Sequence, residues 1–295
     1  MSPQDIFDGS DARILDRGYR HYDGERTGVS GAVRSVVIHS IQRGLGMRRT
    51  IWAKVLPVLT AAIAYIPAII FVGIVALIPA RSLTDFVLPS YGEYYGYVIS
   101  AILLFVAFAA PEMLCTDRRS GMLGIYLASP LSRGTYLLAK ALAVAATLSI
   151  VCLGPPLLML VANLLQSQGP TGAGDIALTA LRVLLAGLMI TLLYTGVTLG
   201  VASLTDRKSI ATAGIILLVL VSGTIGGILG DVTGNHTFYA LSLSTLSLAI
   251  GPLVHGENME LDNLNTAIVF GAWFIWTIGG FALAWLRIQT LSVTR

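Results

Sequence analysis

Six apolar runs divide the sequence between Leu56 and Leu286, and a chain patterned in this way has few folds open to it. The runs are about Leu56 to Ala80, Tyr97 to Ala110, Thr135 to Leu165, Ile176 to Leu204, Ile210 to Gly230 and Thr266 to Leu286. At about 1.5 Å per residue, about 20 apolar residues cross a hydrocarbon core about 30 Å thick. Lipid offers no hydrogen-bond partner to the backbone, so a single run can cross only as a helix. Of 295 residues, 55% are hydrophobic and only 12% charged, which leaves too little polar surface for a soluble globule of this size. The expected fold is therefore an all-α integral membrane protein with six transmembrane helices.

The net charge of +3 points to nucleic acid only until the charges are placed. Nine Lys and Arg precede or include Lys54, four lie between Arg118 and Lys140, two are Arg207 and Lys208, and two are Arg287 and Arg295. Six crossings put these 17 of the 19 cations on one side and leave Arg81 and Arg182 on the other. That other side carries Asp85, Glu93, Asp175, Asp231, Glu257, Glu260 and Asp262. Cations collect on the cytoplasmic side of membrane proteins. The expectation is a multi-pass protein of the cell membrane with both termini cytoplasmic, in contact with lipid and not with nucleic acid.

Residues 1–30 have no apolar periodicity and read as a mobile cytoplasmic tail; no secretory leader is expected, since no apolar core comes before position 55. Residues 31–55 repeat Val33, Val36, Val37, Ser40, Ile41, Gly44 and Leu45 at helical spacing, with Arg48, Arg49, Trp52 and Lys54 beside them. This is the pattern of an amphipathic helix in the headgroup plane. Residues 56–295 then form the six-span domain. Pro67 falls near mid-membrane in the first span, where it kinks the helix either passively or as a transport hinge. Tyr91, Tyr94, Tyr95 and Tyr97 cluster where an aromatic belt is expected.

The link from Pro111 to Lys140, PEMLCTDRRSGMLGIYLASPLSRGTYLLAK, is polar and positively biased between two long apolar runs. Residues 116–129 lack proline and suit a short surface helix, ended where Ser129 precedes Pro130. Ser132 then caps the third span through its hydroxyl. Glu112 pairs with Arg118 or Arg119, or lines a cytoplasmic mouth. Further on, Gly154-Pro155-Pro156 breaks the third run near its outer end. Arg182 lies about two turns into the fourth span, as a buried functional charge or a side chain snorkelling outward. The fifth span pairs Gly223 with Gly227 and Gly226 with Gly230, four apart, so that another backbone can approach. The apolar block Phe238–Val254 would oppose the charge bias if it crossed, and is expected as an outward-side re-entrant hairpin broken at Gly251-Pro252.

The Pro111–Lys140 stretch resembles the loop between the second and third spans of ABC-2 type transporter permeases, particularly actinobacterial ones. The pattern is carried by Pro111, Glu112, Leu114, Asp117, Arg118, Arg119, Ser120, Gly121, Leu123, Ser129, Pro130, Leu131, Ser132, Arg133, Tyr136, Leu137 and Lys140. The resemblance implies that this loop holds a cytoplasmic coupling helix docked on a separate ATPase subunit. Its candidate coupling residues are Glu112, Asp117, Arg118, Arg119, Met122, Leu123, Tyr126 and Arg133. It also implies a dimer of identical or paralogous permeases joined through the first and fifth spans, with Gly223, Gly227 and Pro67 near the dimer and substrate path. The cargo expected is an amphipathic or lipid-like substrate or drug. Helices on the outer side between spans five and six are implied as well.

No phosphate-cradling loop occurs, since none of Lys54, Lys140 and Lys208 follows the required glycines. ATP and magnesium are accordingly expected on the partner, no cofactor on this chain, and no catalysis by it. Two other classes stay open: an autonomous channel or secondary transporter, and a membrane hydrolase or acyltransferase working through His236, His255 or the outer acids. Cys115 and Cys152 lie on or beside apolar runs with no metal-like spacing and are expected as free thiols.

Overall fold

A computed structural model describes residues 28–47, 50–77, 89–257 and 264–290. The helices are α1 (Gly28–Gly44), α2 (Ile51–Leu77), α3 (Tyr94–Arg119), α4 (Met122–Ala128), α5 (Arg133–Cys152), α6 (Gly154–Leu165), α7 (Ala173–Ser203), α8 (Lys208–Thr233), α9 (Leu243–His255) and α10 (Thr266–Thr290), with a 3-10 turn at His236–Leu241. Six of them, α2, α3, α5, α7, α8 and α10, are long and apolar enough to cross a membrane. The chain is an all-α integral membrane protein. The tail before Gly28, Arg48 and Arg49, the link around Arg81 and Asp85, the acids Glu260 and Asp262, and Arg295 lie outside the described residues.

Helix α3 is the axis of the bundle. In its most apolar stretch 72% of the residues are buried, against 17% in α2, α8 and α10, so α3 faces protein all round while the other three present wide apolar faces outward. It packs on α2, α5, α7, α8 and α9. Tyr94 and Tyr95, expected in an aromatic belt, are fully buried here. Their hydroxyls explain why: Tyr94 donates to the Ala64 carbonyl (2.5 Å), in the turn before Pro67, and Tyr95 to the Cys152 carbonyl (3.2 Å). Cys152 is four residues before Pro156, which has no N–H to offer its carbonyl. Tyr65 likewise donates to the Ile150 carbonyl (2.9 Å). Of these three carbonyls only that of Cys152 is one a proline leaves without its helical N–H; in each case the buried phenol finds an acceptor, as an apolar medium requires.

Several boundaries differ from the sequence expectation. Pro111 does not end the second span, because α3 continues through it to Arg119. Breaking the helix there would free several backbone groups, whereas keeping it forfeits one bond. The break falls instead at Ser120-Gly121, where Gly121 adopts a φ of 71° that favours glycine. The short surface helix is consequently only Met122–Ala128. Similarly, α1 ends at Gly44 and Ile51 already begins α2, which runs unbroken through Pro57 and Pro67.

Two signals are met as read. Ser132 Oγ accepts the Thr135 N–H at 3.2 Å, while Thr135 Oγ1 accepts the Ser132 N–H at 2.8 Å, a reciprocal cap that starts α5. The third run divides at Leu153, just ahead of the two prolines. The block between spans five and six turns at Ser242, whose hydroxyl caps α9, and not at Gly251-Pro252, which lies inside α9. Gly251 is needed there for contact: a Cβ on it would lie 2.8 Å from the Tyr95 ring.

The tightest helix pair is α7 with α10. A Cβ on Gly200 would lie 3.0 Å from the Gly280 carbonyl oxygen, and one on Gly280 would meet the Gly196 backbone and stand 2.7 Å from the Val197 nitrogen. Small residues let the two backbones touch, the usual basis of helix association in lipid. Trp273 Nε1 donates to the Met189 carbonyl (2.9 Å) across the same contact.

Candidate functional site

At the cation-rich end of the bundle α1, α3, α4 and α5 converge on a buried carboxylate. Asp117, in the last turns of α3, is fully buried. Its Oδ2 lies 2.5 Å from Lys140 Nζ of α5, itself 1% exposed, and its Oδ1 accepts from Arg43 of α1. Lys140 also donates to Ser40 Oγ (2.7 Å) and to the Met113 carbonyl (2.9 Å), and Tyr136 donates to Asp117 Oδ2 at 3.4 Å. One carboxylate therefore holds three helices together. Every donor of the lysine ammonium and both carboxylate oxygens are engaged, the condition under which a buried pair is tolerated. Ser40, Val36 and Gly44 seat α1 on this cluster, and the small Gly44 leaves room for the Met113 side chain. Helix α1 is thereby part of the bundle's end.

The other charges of the link also point inward. Glu112 pairs with Lys208 at 2.6 Å, and not with Arg118 or Arg119, joining α3 to the start of α8. Arg118 Nη1 donates to the carbonyls of Ser203 (2.6 Å), Thr205 (2.9 Å) and Ala202 (3.5 Å), where α7 ends and its last carbonyls lack helical partners. Arg133 Nη1 does the same for α10, donating to the Gln289 carbonyl and to that of Ile288 at 3.4 Å. A cation at a helix C-terminus also opposes the helix dipole favourably. The link from Glu112 to Lys140 thus ties α1 and the ends of the fourth, fifth and sixth spans to α3 and α5.

What remains outward is small and mixed. Arg119, Ser120 and Gly121 are exposed, and on α4 Ile125 is 64% exposed. Met122 and Leu123 are half-buried. Tyr126 turns back onto Tyr136, ring centroids 5.8 Å apart, beside Val36, Leu131 and Ala139. Burial first, and then the Asp117 carboxylate, hold the Tyr126 phenol above its ordinary pKa against a smaller opposite effect of Arg43, so it stays neutral.

The path residues separate likewise. Pro67 is half-buried within α2. A Cβ on Gly223 would lie 3.7 Å from Ser242 Oγ, whereas Gly227 faces open space. The neighbouring pair is filled from within: a Cβ on Gly226 would be 3.0 Å from the Phe238 carbonyl oxygen, and one on Gly230 2.8 Å from the Tyr239 ring.

Sequence reasoning overlooked Ser40, Arg43, Lys140 and Ile125 as members of this site. Lys140 had a signal, since a lysine inside an apolar run seldom lacks a partner. Arg43 had none, because Asp117 is 74 positions away. Ile125 reads like any apolar residue of a short helix.

Compared with protein families, residues 20–287 match the model described as ABC-2 family transporter protein. No curated protein matches the chain. The match runs from before α1 to the last turn of α10, taking in the six spans and the tied link between the second and third, and the chain belongs to the ABC-2 family of transporter proteins.

Proposed function

We propose that the chain is the permease subunit of an ATP-driven exporter, moving an amphipathic or lipid-like substrate or a drug outward. A separate ATPase subunit binds and hydrolyses ATP with magnesium, while this chain carries the path. The observation that supports this best is the architecture of the link: an exposed tip of Arg119 and Ile125 stands on a frame tied to α1, α7, α8 and α10. Force applied at such a tip reaches four helices at once, as a coupling element with two arrangements must do. In this reading Arg119 meets a carboxylate of the ATPase with its planar fork and Ile125 enters an apolar groove, while Met122 and Leu123 border the contact. Arg118, Arg133, Asp117, Glu112 and Tyr126 hold the frame instead of touching the partner. The cation-rich end faces the cytoplasm of the cell membrane.

Two permeases pair through α2 and α8, whose outward faces carry Val58, Ile66 and Ile70 on one helix and Leu217, Leu220 and Ile228 on the other, all more than half exposed. Gly227, open to space, lies on α8 where a second backbone would come close.

The test is co-purification with a soluble ABC ATPase subunit from the same cells. Arg119→Glu combined with Ile125→Glu should insert and elute like the parent, yet lose the ATPase and its substrate-stimulated hydrolysis. Retention of both at the parental level overturns the coupling role. Transport or hydrolysis by the permease chain alone would instead favour a channel, secondary transporter or membrane enzyme.

A further inference from the structure

Helices α5 and α10 leave an apolar groove of about 540 Å3 between them, lined by Gly134, Leu137, Leu138, Ala141, Ile278, Phe281, Ala282, Trp285 and Leu286. On α10 the residues Ile278, Phe281, Ala282, Trp285 and Leu286 recur at three- and four-residue spacing, so they form one helix face. On α5 the groove is hollowed by small residues, Gly134 and Ala141. Gly134 lets the Trp285 ring lie against the backbone, where a Cβ would be 3.1 Å from two ring carbons. The lining contributes no hydrogen-bonding side chain except the indole of Trp285. Leu138 and Leu286 remain 55% and 65% exposed on its rims.

The position of the groove restricts its occupant. It lies between two membrane-crossing helices, and α10, which forms one wall, packs chiefly on α7, with lesser contacts to α5 and α9, and is not a main neighbour of α2 or α8. A dimer joined through α2 and α8 would leave it facing lipid. At its cation-rich end stands Arg133, whose guanidinium bridges to the carbonyls of Ile288 and Gln289. Carbonyls accept its hydrogen bonds without neutralising its charge, and no carboxylate forms an ion pair with it among the described residues. A long apolar trough ending at an uncompensated cation matches a lipid that has an acyl chain and an anionic head.

We propose that this groove binds one acyl chain of an anionic membrane phospholipid, whose phosphate sits beside the Arg133 guanidinium. The chain lies along Leu137, Leu138 and Phe281, and Trp285 packs its edge against it at the depth where headgroup meets hydrocarbon. This site is separate from the α4 tip and does not depend on which partner occupies that tip.

The experiment uses the full chain in nanodiscs containing a trace of phospholipid with a diazirine on its acyl chain, with either a phosphatidylglycerol or a phosphatidylcholine head. Cross-linked peptides are mapped by mass spectrometry. Labelling should concentrate on Leu138, Ala282 and Leu286 and favour the anionic head. One cation near the surface corresponds to about a fivefold preference, which Arg133→Gln should abolish and Arg133→Lys largely keep. Ala282→Trp, at an exposed position, should empty the groove of label while an exposed control outside both the groove and the dimer face, such as Leu181 on α7, labels unchanged. Equal labelling by both lipids, or groove labelling that survives Ala282→Trp in protein with the parental elution profile, overturns the proposal. Should Arg133→Gln fail to fold, the ratio of the two lipids on the parental chain and the Ala282→Trp result still decide it.

Discussion

Removing Asp117 should detach α1 and destabilise the whole cation-rich end, and the sizes of the effects can be ranked from the geometry. Asp117→Ala withdraws the acceptor from Lys140, Arg43 and Tyr136 together and leaves two cations facing each other, with Lys140 1% exposed. Deleting one member of a buried pair costs about 3–5 kcal/mol, and this case belongs at the top of that range because the stranded lysine cannot reach water. Lys140→Met is milder. Arg43 and Tyr136 still serve the carboxylate, and the loss is one pairing plus donors to Ser40 Oγ and the Met113 carbonyl, about 3 kcal/mol. In Asp117→Ala with Lys140→Met only the Arg43 cation is left, and at 27% exposure it can turn to solvent. The double variant should therefore be less damaged than the sum of the single changes, with a coupling energy of about 1–3 kcal/mol. Reversible unfolding in mixed micelles measures all three, and proteolysis near Gly28 reports whether α1 has come away. Additivity within about 0.5 kcal/mol, or equal damage from Asp117→Ala and Lys140→Met, would refute the idea that one carboxylate organises this end.

The two glycine pairs of α8 should respond oppositely: Gly226→Leu must displace the Phe238 carbonyl or Ser242 and should lower stability by about 1–3 kcal/mol, whereas Gly227→Leu should fold normally and weaken dimer cross-linking. Unchanged cross-linking of Gly227→Leu would remove that face from the dimer. Gly280→Leu, which pushes against the Gly196 backbone, should abolish a monodisperse elution peak, and a normal peak would contradict the α7–α10 contact. For orientation, single cysteines at Thr171 and Ser209, both exposed, are exposed to an impermeant thiol reagent on intact cells; the native Cys115 and Cys152 are buried and should stay silent. Label on Thr171 alone is expected, and label on Ser209 alone would invert the topology. Ser132→Ala removes a reciprocal cap and should destabilise by about 0.5–2 kcal/mol in the unfolding assay.

Much of this architecture is written in one dimension. Run length and the shortage of charge dictate six membrane helices, because lipid forbids any unpaired backbone and only a helix of about 20 residues satisfies that requirement alone. The cap at Ser132 and the break before Pro155 are equally local, each resting on groups within four residues. What the link does is different in kind. Arg118 reads as a surface cation but reaches the end of α7, 85 positions on, and Glu112 finds Lys208 instead of its neighbours. Asp117 lies beside Arg118 in the chain yet is buried among partners from α1 and α5. Pro111 is a helix breaker by propensity, overruled by the apolar surroundings of α3. Spacing likewise shows that α8 has two glycine faces, but only the packed positions of Phe238, Tyr239 and Ser242 show that Gly226 and Gly230 are filled from within while Gly227 is open. The physical reason is common to all five. Local rules are set by hydrogen bonds and sterics within a turn, whereas the partner of a charge or the neighbour of a glycine is whatever helix the fold brings alongside, and that depends on every packed pair at once.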